Sequence, residues 1–388
     1  MSESAVVYSA EPEATRAAQD IAEQIRAQLP GGPPDAMVVF ASPAYDQPLL
    51  LASLESLCSP RRMMGASSSG EFTSERQGEG LVCVLALRST DLKFSVGVAR
   101  ELSKDRAAAA RAIASSFHGL TAPSNEHRTA LVLTDALAGH ADDLVDQLTL
   151  VTAGKYQFVG GGAGDNAQFR RTQVFYGTEA ISDAAVALEI LSSKPLGIGV
   201  GHGWEPAGAG MRVTESSGLR LTSLNGMPAV EAFQSHAERT GQTFDTDLPI
   251  PFFLHNILGI ETGAGHRLRV PLSVNADGSV ECAAEVPTGA VVHIMRTTSR
   301  SAVEAASRAT QQAVKNLRGQ RPQVALFFDC VATRLRMGEV FGLELQALSE
   351  QLGDTSFVGC NTHGQIARAE GQFGGFHNCT AVVCVLPA

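Results

Sequence analysis

The sequence predicts an α/β protein of mixed sheets, built from three related β-α-β-α-turn-β units with an inserted β-rich segment. Three observations carry this. Apolar runs of strand length alternate with segments whose apolar residues recur at helical spacing. A run of small residues ending in glycine occurs three times, each time ahead of a polar residue and a strand. Residues 195–290 match none of these units.

The first unit opens with a short strand at 6–8 and a helix over 13–29. There Ile21, Ile25 and Leu29 share one face, and Pro30-Gly31-Gly32 stops the helix. A buried strand at 37–41 and a helix at 49–57 follow, then the turn Gly65-Ala66-Ser67-Ser68-Ser69-Gly70-Glu71 and a strand at 81–87. The second unit repeats the order with strand 92–98, helix 105–117, strand 130–133 and helix 142–150. Its turn is Gly160-Gly161-Gly162-Ala163-Gly164-Asp165-Asn166. A hairpin of 171–176 with 184–191 is expected to close it. In the third, strand 291–295 leads to a helix over 301–317, with Ser301-x-x-Glu304 as the expected capping box. Strand 323–328, helix 339–352, the turn from Gly359 to Gln365 and strand 380–386 complete it. Residues 1–192 thus read as an N-terminal domain of two units. Residues 193–388 read as a C-terminal domain, with the β-rich segment at 195–290 and the third unit at 291–388. Within 195–290, glycines alternate at Gly197, Gly199, Gly201 and Gly203, and Asn225-Gly226-Met227-Pro228 signals a turn before a helix.

The middle turn is too glycine-rich for a helix or a central strand. It also fails as a phosphate cradle, because a strand follows where the dinucleotide pattern needs a helix N-terminus. Glu71, Asp165 and Gln365 follow the last glycine of each turn and read as equivalent. Such side chains either fix the turn through backbone N–H groups or stand at the rim of a pocket.

Composition narrows the function. The chain has 388 residues, 44% of them hydrophobic and 18% charged, as in a globular protein. A net charge of −10 provides no basic excess for nucleic acid. The N-terminus lacks the apolar core of a signal peptide, and no apolar run is long enough to span a bilayer, so a cytoplasmic protein is expected. Seven cysteines, several inside apolar runs, fit reduced core thiols. Phosphate-loop, zinc-protease, C-x-x-C and G-x-S-x-G motifs are absent. Ser67-Ser68-Ser69 has no identifiable base beside it, so no catalytic residue is assigned.

Candidate binding residues cluster in and after the turns: Ser69, Glu71, Gly161, Gly162, Asp165, Asn166, Thr362, His363, Gln365, His377 and Asn378. Backbone N–H groups of the turns suit an anionic group, and Glu71 or Asp165 a cationic one. Arg334, just past a strand's C-terminal end, suits a carboxylate. His363, His377 and His202 are the imidazoles a metal or haem would use, but no ligand spacing recurs, so no metal is assigned. The pocket is expected where the turns meet residues 195–289.

These residues carry a resemblance to the FIST family, with both halves of its sensory domain. It rests on Val159-Gly160-Gly161-Gly162-Ala163-Gly164-Asp165, on Leu224-Asn225-Gly226-Met227-Pro228-Ala229, on Arg269-Val270-Pro271-Leu272 through Glu285-Val286-Pro287-x-Gly289, and on Gly359 through Phe376-His377-Asn378-x-Thr380. The resemblance implies an intracellular sensor of a small polar metabolite such as an amino acid. With no output module in the chain, the signal is expected to leave through a separate partner protein. Some relatives bind haem and respond to nitric oxide, which makes a haem sensor the alternative; a scaffold without ligand is another. The chain departs from the family in having Gln365 where a glutamate is usual, and in a longer Cys330-to-Arg334 spacing.

Overall fold

The computed structural model describes residues 2–121, 126–263, 265–369 and 375–388. Three six-stranded sheets follow one plan. The first runs Ser2–Ser9, Val82–Ser89, Ala36–Ala41, Met63–Ser67, then Val174–Tyr176 and Glu179–Ile181. The second runs Leu92–Arg100, Ala184–Ser192, His127–Thr134, Gln157–Gly162, then Gln365–Arg368 and Gly375–His377. The third runs Gly197–Gly201, Ala381–Pro387, Pro322–Cys330, Phe357–Thr362, then Glu71–Thr73 and Gln77–Gly78. In each sheet the second and third strands of the unit are parallel and every other described pairing is antiparallel. The mixed α/β class with three related units is therefore the architecture observed.

The last two strands of each sheet come from another unit. After its glycine turn, the first unit sends Glu71–Thr73 onto the third sheet. The second sends Val174–Tyr176 onto the first, and the third sends Gln365–Arg368 onto the second. The exchange closes on itself. It corrects the expected hairpin of 171–176 with 184–191: Val174–Tyr176 turns back with Glu179–Ile181 in the first sheet, while Ala184–Ser192 is interior to the second.

One face of each sheet contributes to a shared core, where Phe40, Leu133, Val186, Phe328 and Val382 meet. The Phe40 and Phe328 rings pack edge-on at 5.7 Å. The outer faces are covered by helices: Ala14–Gln28 and Gln47–Cys58, Arg106–Ala114 and Ala141–Val151, Ser299–Asn316 and Gly342–Leu352. Burying both faces explains why the central strands read as unbroken apolar runs.

Gln157–Gly162 is an interior strand, against the expectation that its glycines forbid one. A Cβ on Gly160 would lie 2.0 Å from the Val132 carbonyl oxygen of the parallel neighbour. Gly65 and Gly359 stand at the same place, with a Cβ 2.0 Å from Val39 O and 1.8 Å from Phe327 O. The first glycine of each turn is thus dictated by close strand approach.

The third unit begins earlier than expected. Val291–Arg296 belongs to the separate nine-stranded sheet of the inserted segment, beside Ile257–Thr262. The unit's own first strand is Gly197–Gly201, and its alternating glycines face helix Ser299–Asn316. A Cβ on Gly197 or Gly199 would sit 1.9 or 1.8 Å from the carbonyl oxygens of Ala313 and Ala309. The helix presents Ala305, Ala306, Ala309 and Ala313 to that strand, so two backbones meet with almost no side chain between them. Its cap is Thr298 with Ser301, one turn ahead of the expected box; Glu304 pairs with Arg300 instead. A helix at Val331–Met337 was not expected.

The inserted sheet is tied to the second unit by Arg269, whose side chain is fully buried. It donates to Glu285 O, Leu268 O and Phe376 O and pairs with Asp142. The Phe376 N–H returns a bond to Asp142 at 2.7 Å. No described helix is long and apolar enough to cross a membrane.

Close strand–helix approach is testable. Gly199→Ala should cost about 1–3 kcal/mol, as overpacking does, while Gly201→Ala, whose Cβ would stand 3.1 Å from Ala305 O, should cost less. Urea midpoints check this; equal midpoints for the two variants would mean that the helix yields freely.

Candidate functional site

The three turns meet at the centre and bond to one another in a ring. Asn361 accepts from Ser69 N–H and donates to Gly70 O. Gly162 accepts from His363 N–H and donates to Gly364 O. Ser67 accepts from Gly164 N–H, but its own N–H reaches Gln173 O. The partner of the third bond is therefore displaced along the chain.

Register explains the displacement. Glu71 pairs with Cys360 and Gln365 with Gly161, and the corresponding place beside Ala66 is taken by Val174. Val174, not Asp165, is the counterpart of Glu71 and Gln365. Residues 165–172 form an excursion that the other two turns lack. This corrects the equivalence read from the sequence, which a shared glycine-then-polar pattern suggested.

Glu71 and Gln365 do one structural job. The Glu71 carboxyl accepts from Ser68 Oγ at 2.6 Å and from Leu81 N–H at 3.0 Å. Gln365 donates to Thr362 Oγ1 at 2.8 Å and accepts from Thr380 N–H at 3.2 Å. Leu81 and Thr380 each precede the unit's last strand, so both side chains fasten turn to returning strand. In the second unit Asp135 supplies this bond, accepting from Asp183 N–H at 2.6 Å. Glu71 and Gln365 are buried and do not stand at a pocket rim.

Asp165 holds the excursion. Its two oxygens accept four backbone N–H groups, from Gln168, Phe169, Arg170 and Arg171, at 2.7–3.1 Å. Asn166, Ala167 and Phe169 carry positive φ, so the loop is tightly coiled around that carboxylate. Phe169 stacks on His363 at 4.5 Å.

Ser69, Asp165 and His363, one from each turn, come together as the sequence did not foresee. Ser69 Oγ lies 3.2 Å and Asp165 Oδ1 3.4 Å from the same His363 nitrogen, Nε2. A nucleophile relay needs serine and carboxylate on opposite ring nitrogens. Here His363 Nδ1 has no partner. Burial lowers His363 to about 4, with Asp165 opposing, so the ring is neutral near pH 7.

Beside this junction lies a polar cleft of about 520 Å³ between the first two units. One wall is the loop 43–48 at the start of helix Gln47–Cys58, and the other is the excursion, with Ser67 and Gln173 at the base. Gln47 Oε1 and Asn166 Oδ1 are buried without a hydrogen-bond partner. Arg170 and Arg171 line the cleft, are exposed, and make no ion pair among the described residues. Gln47, Asn166, Arg170 and Arg171 thus line one space. Gln47, Arg170 and Arg171 were missed in the sequence; an arginine pair beginning six residues past the last glycine was the available signal.

The other expected residues lie elsewhere. Gly161 and Gly162 act through backbone pairing. Thr362 bonds Gln365 and Asp329 O. Asn378 accepts from Val270 N–H, and Arg334 pairs with exposed Glu79 beside Gly70. His377 is buried and lowered to about 3 by burial, with Arg269 and Arg267 adding to it. Neither His363 nor His377 lines the 520 Å³ cleft, and His202 bonds His266 O beside a cavity of about 10 Å³. As placed, these imidazoles do not suit a porphyrin. The turns bond to one another, and the described lining of the 520 Å³ cleft includes no residue of 195–289.

Burial raises Glu71 from 4.5 to about 7, its hydrogen bonds opposing. A folded-state value above the unfolded one gives stability that is complete below about pH 4.5 and is lost as pH rises through about 7, at up to about 1.4 kcal/mol per pH unit. Glu71→Gln reproduces the Gln365 arrangement with Ser68 as acceptor. It should flatten the stability profile between pH 4.5 and 7 and exceed the parent at pH 8. Urea midpoints across that range check this, and an unchanged slope would remove Glu71 as its source.

Two proteins from strains of Mycobacterium tuberculosis, both named only as uncharacterized, are 23% identical over 399 residues, covering 97% of this chain and 97% of each. A crystal structure of cyanuric acid hydrolase from A. caulinodans aligns over 100% of this chain and 99% of its own at 11% identity. Its TM-score of 0.31 is too low to support any inference about activity. The FIST N domain model matches residues 35–227 and the FIST C domain model residues 229–368. Together they cover the turns, the inserted sheet and most of the third unit, and the chain belongs to the FIST family.

Proposed function

We propose that this chain is a small-ligand sensor whose ligand occupies the cleft between the first and second units. The observation that carries the reading is that Gln47 and Asn166, each with a buried side-chain oxygen lacking a hydrogen-bond partner, line one cleft together with the exposed Arg170 and Arg171. Leaving such atoms unsatisfied is costly, and a guest that donates hydrogen bonds at one end and carries an anion at the other satisfies all four groups. A small polar metabolite such as an amino acid has that chemistry. FIST domains are sensory domains that bind small ligands, and membership of the family supports the same reading.

The excursion is also the route out. A ligand held by Arg170 and Arg171 pulls on the loop that Asp165 coils, and Phe169 of that loop rests on His363 at the junction of all three units. The signal then passes to a separate protein. The site provides recognition without an oriented nucleophile–base pair, so binding rather than turnover is the proposed activity.

Thermal shift against a panel of amino acids and small carboxylates tests this. A ligand at 100 times its Kd adds about 2.7 kcal/mol of stability. The shift should vanish in Arg170→Ala/Arg171→Ala, whose own midpoint stays near the parent because both residues are exposed. A ligand that shifts parent and double variant equally would place binding elsewhere.

A further inference from the structure

A second polar cavity, of about 590 Å³, opens between the first two units at the far end of the strands that reach the cleft. Strand Met63–Ser67 and its antiparallel neighbour Val174–Tyr176 run between the two spaces. Met63 and Tyr176 line the cavity, whereas Ser67 and Gln173 line the cleft. At strand rise, the length of Met63–Ser67 sets the two roughly 13 Å apart, so the cavity is a site of its own.

Glu55, Arg61, Arg62, Ser116, His118 and Tyr176 are among the residues that line it, and Glu55 is the one carboxylate in the described lining. The Arg61 side chain is 74% exposed and its one described ion pair, with Asp35, is long at 3.4 Å. Arg62 donates to Arg61 O and makes no ion pair among the described residues. The Ser116 and Tyr176 hydroxyls and the His118 imidazole make no hydrogen bond among the described residues. Cations also collect at helix C-termini, but that attraction falls off within the last turn. Arg61 and Arg62 follow the Ser59 cap of helix Gln47–Cys58, whose N–H already bonds Glu55 O.

The protein beneath these groups is fixed. Ser95, which also lines the cavity, and the His118 N–H both donate to Glu189, at 2.7 and 2.8 Å. Glu189 is buried and accepts in addition from Gly119 N–H and the Tyr156 hydroxyl. Four donors compensate that carboxylate, so it makes no demand on the arginines.

We propose that this cavity binds the phosphate monoester of a small hydroxylated metabolite. Arg61 and Arg62 receive the phosphate through charge-assisted hydrogen bonds, and Ser116, His118 and Tyr176 complete its shell. Glu55 accepts from a hydroxyl of the organic body, for which a space of this size has room.

Isothermal titration in chloride buffer, with inorganic phosphate and ribose 5-phosphate as probes, tests this. Both should bind saturably, ribose 5-phosphate about three-fold or more the tighter because the cavity also holds its body. Glu55→Ala should cancel that advantage. Arg61→Ala/Arg62→Ala should weaken both probes about ten-fold or more. Arg16→Ala/Arg76→Ala, which removes the same charge from exposed positions elsewhere, should not. No saturable binding, equal affinity for the two probes, or equal loss in both double variants would each overturn the proposal. So would loss of all phosphate binding in Arg170→Ala/Arg171→Ala, which would move the anion to the cleft. Should Arg61→Ala/Arg62→Ala fail to fold, Tyr176→Phe decides: deleting only the hydroxyl should weaken inorganic phosphate about three-fold or more, and an unchanged affinity would count against the site.

Discussion

Closure of the three-way strand exchange is the constraint on which the rest depends. Each unit completes a sheet that is not its own, so no unit has all of its edge bonds until the other two are in place. The chain must cross from sheet to sheet where three backbones crowd together, and side chains have no room at the first position of each crossing. That is why Gly65, Gly160 and Gly359 face the carbonyls of their parallel neighbours at sub-contact distances for any Cβ. The ring of backbone bonds among Ser67, Gly162 and Asn361 then pairs groups that burial would otherwise leave unsatisfied. Two parts of one constraint, close approach and full pairing, give the central turns their glycine content.

Polar burial around this ring is structural before it is functional. Glu71 and Gln365 solve the same problem with different side chains, because the returning N–H asks only for an oxygen. The neutral amide does so without the desolvation that burdens the buried carboxyl. Gln365 therefore meets the same structural demand as Glu71. The second unit meets the same demand from a different place, with Asp135 reaching Asp183 N–H.

Much of the fold was legible because it is local. Strand and helix runs, the threefold recurrence and the mixed-sheet class follow from periodicity and from turn residues. The exchange was not legible, since nothing in Val174-Phe175-Tyr176 says whether its partner is 184–191 or Met63–Ser67. The third unit's first strand was hidden for a related reason. Gly197–Gly201 looks like a loop until helix Ser299–Asn316, about a hundred residues on, is laid against it. Asp165 was singled out as a binding residue, and the structure shows its carboxylate coiling a loop by four N–H bonds. Arg170 and Arg171 lie on an excursion with no repeat signature, and Gln47 just ahead of the helix placed at 49–57, while repetition was the guide.

That last point reaches the logic of the site. Three equivalent junctions offer three equivalent places between the end of a unit's second strand and an incoming turn. In the second sheet the 3-10 turn Ala136–Ala138 closes that place, with Ala136 Cβ 2.6 Å from where a Gly162 Cβ would stand. In the third, helix Val331–Met337 lays Arg334 against Gly70. In the first, loop 43–48 stands away, and the excursion 165–172 rises opposite to make the second wall of the cleft. A symmetric scaffold thus acquires a cleft at one of its three junctions by an excursion at one turn, and Asp165 satisfies the N–H groups that the excursion brings in. The proposed binding groups Arg170 and Arg171 then lie on the segment least bound by the repeat, outside the ring of backbone bonds that joins the turns.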